Sequence, residues 1–272
     1  MIHGNVSRQR QAIPGVSLRN LWFDAITEAE CVSHVLASLK DGRGGWIITI
    51  NLDHLRRTNH DPDYKRLADE ASLRVCDGVP LLWAARLQGT PLPGQIAGSN
   101  MVYTLTAASA GQFSVYLLGG DPSTAERAAQ ILVDQYAGLE IAGTECPPFG
   151  FEQDEAALLA MRQRLEKARP DIIYVALGSP KQELLIQELR KILPEAWWIG
   201  VGISFSFITG DVARAPRWIQ RCGLEWLHRL VQEPRRLFRR YVVEGLPFAV
   251  GLMARSGVCR LKPGCKQAKH RH

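Results

Sequence analysis

A chain of 272 residues with 46% hydrophobic and 22% charged side chains has the material for one large packed domain, which excludes the disordered and low-complexity classes. The formal charge of +6 is unevenly placed: residues 212–272 hold fourteen Lys/Arg and three Asp/Glu, a balance of +11, against −5 for residues 1–211. A mildly acidic body with a strongly basic tail seeks anions: a nucleic acid, an anionic bilayer or a phosphate-bearing substrate.

From the N-terminus, residues 1–11 are polar, without the apolar core of a secretory signal. No apolar run approaches the ~20 residues of a membrane-spanning helix. The six cysteines form no Cys-x-x-Cys pair, which argues against a zinc site or a disulfide framework. Short apolar runs at 46–50, 115–118, 172–177 and 197–201 read as buried strands. A helical stripe at 154–168 (Leu158, Met161, Leu165, Ala168) lies between two of them. Strands alternating with helices predict an α/β fold: a Rossmann-like, mostly parallel sheet with helices on both faces.

The first strand runs into Thr49-Ile-Asn51-Leu-Asp53-His54. Thr49 and Asn51 are candidate ligand-binding groups at a strand end, although a turn in which Asn51 and Asp53 bond their own backbone explains the pattern as well. Asp61-Pro62-Asp63 has the Asp-x-Asp form of a divalent-metal site. It reads better as a helix start: Asp61 the cap, Pro62 the first helical residue, Asp63 favourable charge in the first turn, and no metal site. Asp77, in Val-Cys-Asp77-Gly78, follows an apolar segment. It is either an ordinary turn or a general base, and a base needs partial desolvation to reach working pH. Gly119-Gly120-Asp121 follows a strand and opens a helix, so its glycines would let backbone approach a phosphate. It has neither the Gly-x-Gly-x-x-Gly nor the P-loop pattern. Gly178-Ser-Pro-Lys181-Gln182-Glu183 pairs Gly, Lys and Gln after the strongest strand. A capping box from Ser179 to Gln182 would account for Gln182 alone, while Lys181 still sets positive charge beside a helix N-terminus. Asp121-Pro122 and Ser179-Pro180 are expected helix starts like Asp61-Pro62. Such termini at strand ends suit a nucleoside diphosphate.

After Gly210 the pattern changes, and two units are expected: an α/β core over 1–210 and a basic amphipathic appendage over 211–272. Leu224, Leu227, Leu230, Val231, Leu237, Phe238 and Tyr241 fall at helical spacing broken by Pro234, interleaved with arginines. An apolar stretch at 246–253 follows, too short to span a bilayer. A solvated helical cap and a membrane-surface element are equally compatible with this pattern.

Several of these blocks together resemble the WecG/TagA/CpsF glycosyltransferase family. They are Thr49-x-Asn51, Asp77-Gly78, Gly178-x-Pro180-Lys181-Gln182-Glu183, the glycine-bounded 200–210 segment and Arg214-Ala215-Pro216. The block Gly223-Leu-Glu-Trp-Leu-His-Arg-Leu, followed by Glu233-Pro234-Arg235-Arg236, completes the set. The resemblance runs over 17–241 in unchanged order. It implies inverting transfer of a hexose of the N-acetylmannosamine, mannosaminuronate or glucose type from a UDP-sugar to a polyprenyl-diphosphate-linked saccharide. Cell-surface or exopolysaccharide synthesis would be the setting, without metal or other cofactor. The implied enzyme is cytoplasmic and peripheral on the inner face of the membrane, attracted to an anionic lipid surface, with no nucleic-acid partner; a homo-oligomer is compatible. The resemblance casts Asp77 as the base and places Thr49, Gln182 and appendage arginines in the site. The substrate-binding set is Thr49, Asn51, Gln95, Asn100, Gly119, Gly120, Gly178, Lys181, Gln182, Arg214, Arg229 and Arg235. Two departures stand out. The family's Arg-x-x-Gly-x-Asp is here Gln95-Ile-Ala-Gly-Ser-Asn100, and an Asp common in the glycine-bounded segment is Ser206. Of the rival readings, a nicotinamide-dependent oxidoreductase fails on its missing glycine fingerprint. A basic membrane- or nucleic-acid-binding module would show salt-sensitive binding without catalysis.

Overall fold

The computed structural model describes residues 13–216, 218–219 and 224–261. An antiparallel hairpin, β1 (Gly15–Leu18) and β2 (Leu21–Asp24), precedes α1 (Glu28–Lys40). β3 (Gly45–Ile50) leads to α2 (Leu52–His60) and α3 (Pro62–Asp69), and β4 (Leu73–Cys76) to α4 (Val79–Gln88) and α5 (Gly98–Ser109). β5 (Ser114–Gly119), α6 (Thr124–Gln135), β6 (Glu140–Glu145) and α7 (Glu155–Ala168) follow. β7 (Ile172–Ala176), α8 (Lys181–Leu189), β8 (Trp197–Gly200) and α9 (Ser204–Ile208) close the α/β part. Beyond it come α10 (Glu225–Gln232), α11 (Pro234–Phe238), a π-helical segment Arg239–Gly245, and α12 (Leu246–Leu261).

The central sheet has the order β4-β3-β8-β7-β5-β6, every neighbouring pair parallel. Strand residues alternate between two cores, as the two-residue period requires. Trp46, Ile48 and Ile50 pack with Leu67, Leu81, Leu165 and Ile186 on one face. Ile47, Tyr174 and Ile199 pack with Val35, Leu105, Ala128 and Phe205 on the other. The four predicted strands are all present, and the expected 154–168 helix starts at Glu155, with Asp154 capping it through Ala156 N and Ala157 N.

Helix starts divide. Asp61 does cap α3, its Oδ1 accepting from Asp63 N and Tyr64 N, with Pro62 at the first position. Asp121 does not cap: α6 begins at Thr124, after a turn in which Thr124 N donates to the Asp121 carbonyl. The predicted Ser179 capping box is absent too. α8 begins at Lys181 without a side-chain cap, Ser179 Oγ lies 3.2 Å from the Tyr64 hydroxyl, and Gln182 turns elsewhere. In both places a proline reads the same at sequence level whether it opens the helix or precedes it in a turn.

The C-terminal part also departs from expectation. The segment 246–253 is not a short isolated piece. Arg239–Leu261 is continuous helix of 23 residues containing an 18-residue stretch of mean hydropathy 1.3, long and apolar enough to cross a bilayer by length and composition. One stripe of α12, Leu252, Ser256 and Cys259, is nevertheless buried, and the helix lies along α4, with Leu87 beside Gly257. Cys259 is disulfide-bonded, although the cysteine spacing argued against a disulfide framework. Ala215 and Leu237 are buried as well, so packing continues past residue 210.

An ion-pair cluster ties this part to α2. Buried Asp53 meets Arg56 at 3.0 Å, Arg240 at 3.1 Å and Arg57 at 3.3 Å, and Arg56 also meets Glu244 at 2.7 Å. Burial alone would raise the Asp53 carboxyl, but Arg240, Arg56 and Arg57 outweigh it and hold the group below the usual carboxylate range. A depressed native pKa stabilises the fold above the unfolded value near ~3.9, and that contribution is lost as pH falls through the native value. We therefore expect Arg240→Leu to cost about 1 kcal/mol in urea unfolding at pH 7. The difference from wild type should shrink as pH falls below the usual carboxylate range and through the depressed native value of Asp53, where the carboxylate that Arg240 meets is lost. A difference that stays the same down to the lowest pH at which the wild type is folded would mean that Arg240 acts through packing alone.

Candidate active site

The carboxyl ends of β3, β4, β5, β7 and β8 open into one cavity of about 1640 Å³. It is large enough for two substrates rather than a single small ligand. Of the residues singled out in the sequence, Thr49, Asn51, Asp77, Gln95, Gly120, Gly178, Lys181, Gln182 and Arg229 line it. Gly119, Asn100, Arg214 and Arg235 do not. Gly119 is buried in the sheet with φ of +105°, and an added Cβ would meet the Ala176 carbonyl at 2.6 Å, so its glycine serves the sheet. Arg214 and Asn100 pair behind the wall, Arg214 Nη2 donating to Asn100 Oδ1 at 2.7 Å. Arg235 is exposed, away from the cavity lining.

Asp77 sits immediately after β4. Its backbone N donates to the Ile50 carbonyl at 2.7 Å, and Ile96 N donates to the Cys76 carbonyl at 2.7 Å, which brings residue 95 alongside. Gln95 Nε2 then donates to Asp77 Oδ1 at 3.1 Å. Burial pushes the Asp77 carboxyl up to about 7, with Glu225 adding to the rise, while the Gln95 hydrogen bond and the cations of Arg214 and Arg229 oppose it. A half-buried carboxyl titrating near neutrality beside two guanidinium groups is suited to taking a proton from a neutral nucleophile. Glu225, the first residue of α10, was not picked out in the sequence as facing Asp77. Its position inside the Gly-Leu-Glu-Trp block was the only signal available.

The Gln95 contact gives the charge-losing departure a physical meaning. An arginine beside Asp77 would favour the carboxylate and lower its pKa. Gln95→Arg should therefore move the acid limb of the rate profile down by about one pH unit. An unmoved limb in a folded Gln95→Arg enzyme would show that residue 95 does not set the ionisation of Asp77.

At the cavity wall, Gln182 joins two strand ends. Its Oε1 accepts from Gly202 N at 3.1 Å and its Nε2 donates to Glu183 Oε1 at 2.7 Å. The side chain crosses Gly200 so closely that a Cβ there would lie 2.5 Å from Nε2. Glu183 Oε1 in turn lies 3.9 Å from His54 Nε2, both residues buried. His54 Nδ1 is 2.9 Å from the Thr49 carbonyl and 3.2 Å from Asn51 N. Burial holds the His54 imidazole below its ordinary value against the pull of Glu183. His54 and Glu183 thus link the backbone at Thr49 and Asn51 to Gln182. Both stand inside blocks noted in the sequence, but neither was a site candidate, because the link joins segments over a hundred residues apart. The Asn51 side-chain oxygen caps α2 through Asp53 N and His54 N, so the turn reading holds for that oxygen even though Asn51 also lines the cavity.

At the opposite rim, Lys181 pairs with Glu152 and its ammonium lies 4.9 Å over the exposed ring of Phe149. Arg229 and Arg240 enter from the C-terminal helices. Among the described residues, no cluster of three or more His, Cys, Asp or Glu is arranged to hold a metal ion. With the geometry established, comparison with known families adds one finding: a model described as the glycosyl transferase WecG/TagA/CpsF family matches residues 16–260.

Proposed function

The chain belongs to the WecG/TagA/CpsF glycosyltransferase family, and from that premise we propose that it is an inverting hexosyltransferase using a UDP-sugar. The donor hexose is of the N-acetylmannosamine, mannosaminuronate or glucose type, and the acceptor is a polyprenyl-diphosphate-linked saccharide. The observation that carries the reading is the strand-end Asp77, its carboxyl raised to about 7, sharing a two-substrate cavity with Arg229.

In this mechanism the acceptor hydroxyl attacks C1 of the donor sugar from the face opposite the diphosphate. As the new C1–O bond forms, Asp77 takes the hydroxyl proton. The bond from C1 to the diphosphate oxygen breaks, and UDP leaves with the electron pair. Charge developing on the leaving group is met by Arg229, by Lys181 and by the N-terminus of α8, so the reaction proceeds without a metal. Gln182 and Thr49 position the donor sugar, and Gly120 lets the backbone come close to the diphosphate. The +11 tail supports a peripheral position on an anionic inner membrane face, each cation near such a surface adding ~1 kcal/mol.

The test is a UDP-release screen pairing several UDP-sugars with lipid-diphosphate-linked sugar acceptors, with the anomeric configuration of the product read by NMR. The expected result is acceptor-dependent UDP release, an inverted product and full activity in EDTA. A retained anomer overturns direct displacement, and activity lost to EDTA but restored by Mg²⁺ or Mn²⁺ overturns the metal-free step. Absence of release with every pair overturns the assignment of substrates.

A further inference from the structure

The cavity does not end at the polar groups around Asp77. It continues between α4 and α12, where its lining turns apolar: Val79 and Trp83 from α4, and Leu246, Ala249, Val250 and Met253 from α12. On α12 these residues fall at i, i+3, i+4 and i+7, a single face of the helix, and on α4 at i and i+4. The faces are distinct from the buried residues of the two helices, Leu252, Ser256 and Cys259 on one and Leu81, Ala84 and Ala85 on the other. Trp83, Leu246 and Val250 keep 50%, 44% and 69% of their surface exposed, so the arm is an open apolar groove.

Charge identifies the occupant that fits. Arg240 lines the same cavity six residues before Leu246 on the same continuous helix, and Arg229 lines it from α10. The same cavity therefore joins the Asp77 carboxyl, the guanidinium groups of Arg229 and Arg240, and an apolar trough about 10 Å long from Leu246 to Met253. A sugar hydroxyl, a diphosphate and a hydrocarbon chain match these three environments. We propose that the groove between α4 and α12 is a subsite for the first isoprenoid units of the acceptor, about two of them by length. The enzyme then recognises its lipid carrier by direct contact. This rests on the lipid-diphosphate acceptor proposed above and adds to it where the chain is seated.

The groove is tested with full-length enzyme in the absence of membrane and detergent. Two water-soluble acceptors carry the sugar diphosphate that performs best in the UDP-release screen, one with an ethyl group and one with a ten-carbon geranyl group. Wild type should prefer the geranyl acceptor by about tenfold to a hundredfold in kcat/KM, mainly through KM, because burying methylenes is favourable. Ala249→Trp, which fills the trough, and Val250→Glu, which charges it, should each reduce that preference to below about threefold. Transfer to the ethyl acceptor should be kept, and UDP binding serves as the check on folding. Equal use of both acceptors by wild type overturns the subsite without help from any variant. A preference that survives both substitutions overturns it too, and weaker binding of the variants to anionic vesicles would then make the stripe a bilayer contact. Transfer to neither acceptor removes the acceptor assignment itself, and the groove with it.

Discussion

Replacing Asp77 with asparagine lowers turnover by about 10²–10⁴-fold while leaving the fold and UDP binding in place, the usual worth of a positioned general base. The amide fills the same space and can still meet Gln95, but it cannot accept a proton. Because the Asp77 carboxyl is held up to about 7, chiefly by burial, the wild-type rate should climb as pH rises through that value. The active form is the carboxylate, so the acid limb follows the deprotonated fraction, which falls tenfold per pH unit well below 7. The variant's residual rate should show no such limb. Turnover in a folded Asp77→Asn protein within a few fold of wild type, or the same acid limb, removes Asp77 from the role.

The second large effect belongs to Arg229. Arg229→Ala should lower kcat by about 10²–10³-fold, the range seen when a preorganised donor to developing charge is removed. It should leave a signature that a loss of folding cannot imitate. Arg229 is one of the groups opposing the rise of the Asp77 carboxyl, so its removal lets that carboxyl rise further. The acid limb of the variant should therefore move to higher pH, opposite in direction to the shift expected for Gln95→Arg. Arg229→Lys should restore the limb's position more fully than the rate, since lysine keeps the charge but not the planar fork. A full rate from the alanine variant with an unmoved limb would place Arg229 outside the reaction.

Much of the architecture was legible because it is encoded locally. Runs such as Trp46-Ile-Ile and Ile172-Ile-Tyr-Val are too apolar to sit anywhere but inside a sheet covered on both faces, and the structure buries them there. Asp61 as a cap followed from the preferences of three adjacent residues, and it caps α3. Asp77 was legible as a candidate from its place after an apolar run, and Gln95 as a departure from a family pattern. That Gln95 touches Asp77 was not, since the contact depends on the chain returning beside β4 after α4.

The sequence by itself therefore determined the parallel α/β core, the strand ends from which a site could be built, and the segregation of basic charge behind it. Tertiary structure alone decided which groups share a field. It set Glu225 and Arg229 against Asp77, buried the His54–Glu183 link beside Gln182, and turned α12 so that one stripe is buried while another faces the cavity. The reason is the range of the forces. Periodicity and capping act within a turn or two of the chain. Desolvation and charge act through space, on whatever side chains the packed core brings together.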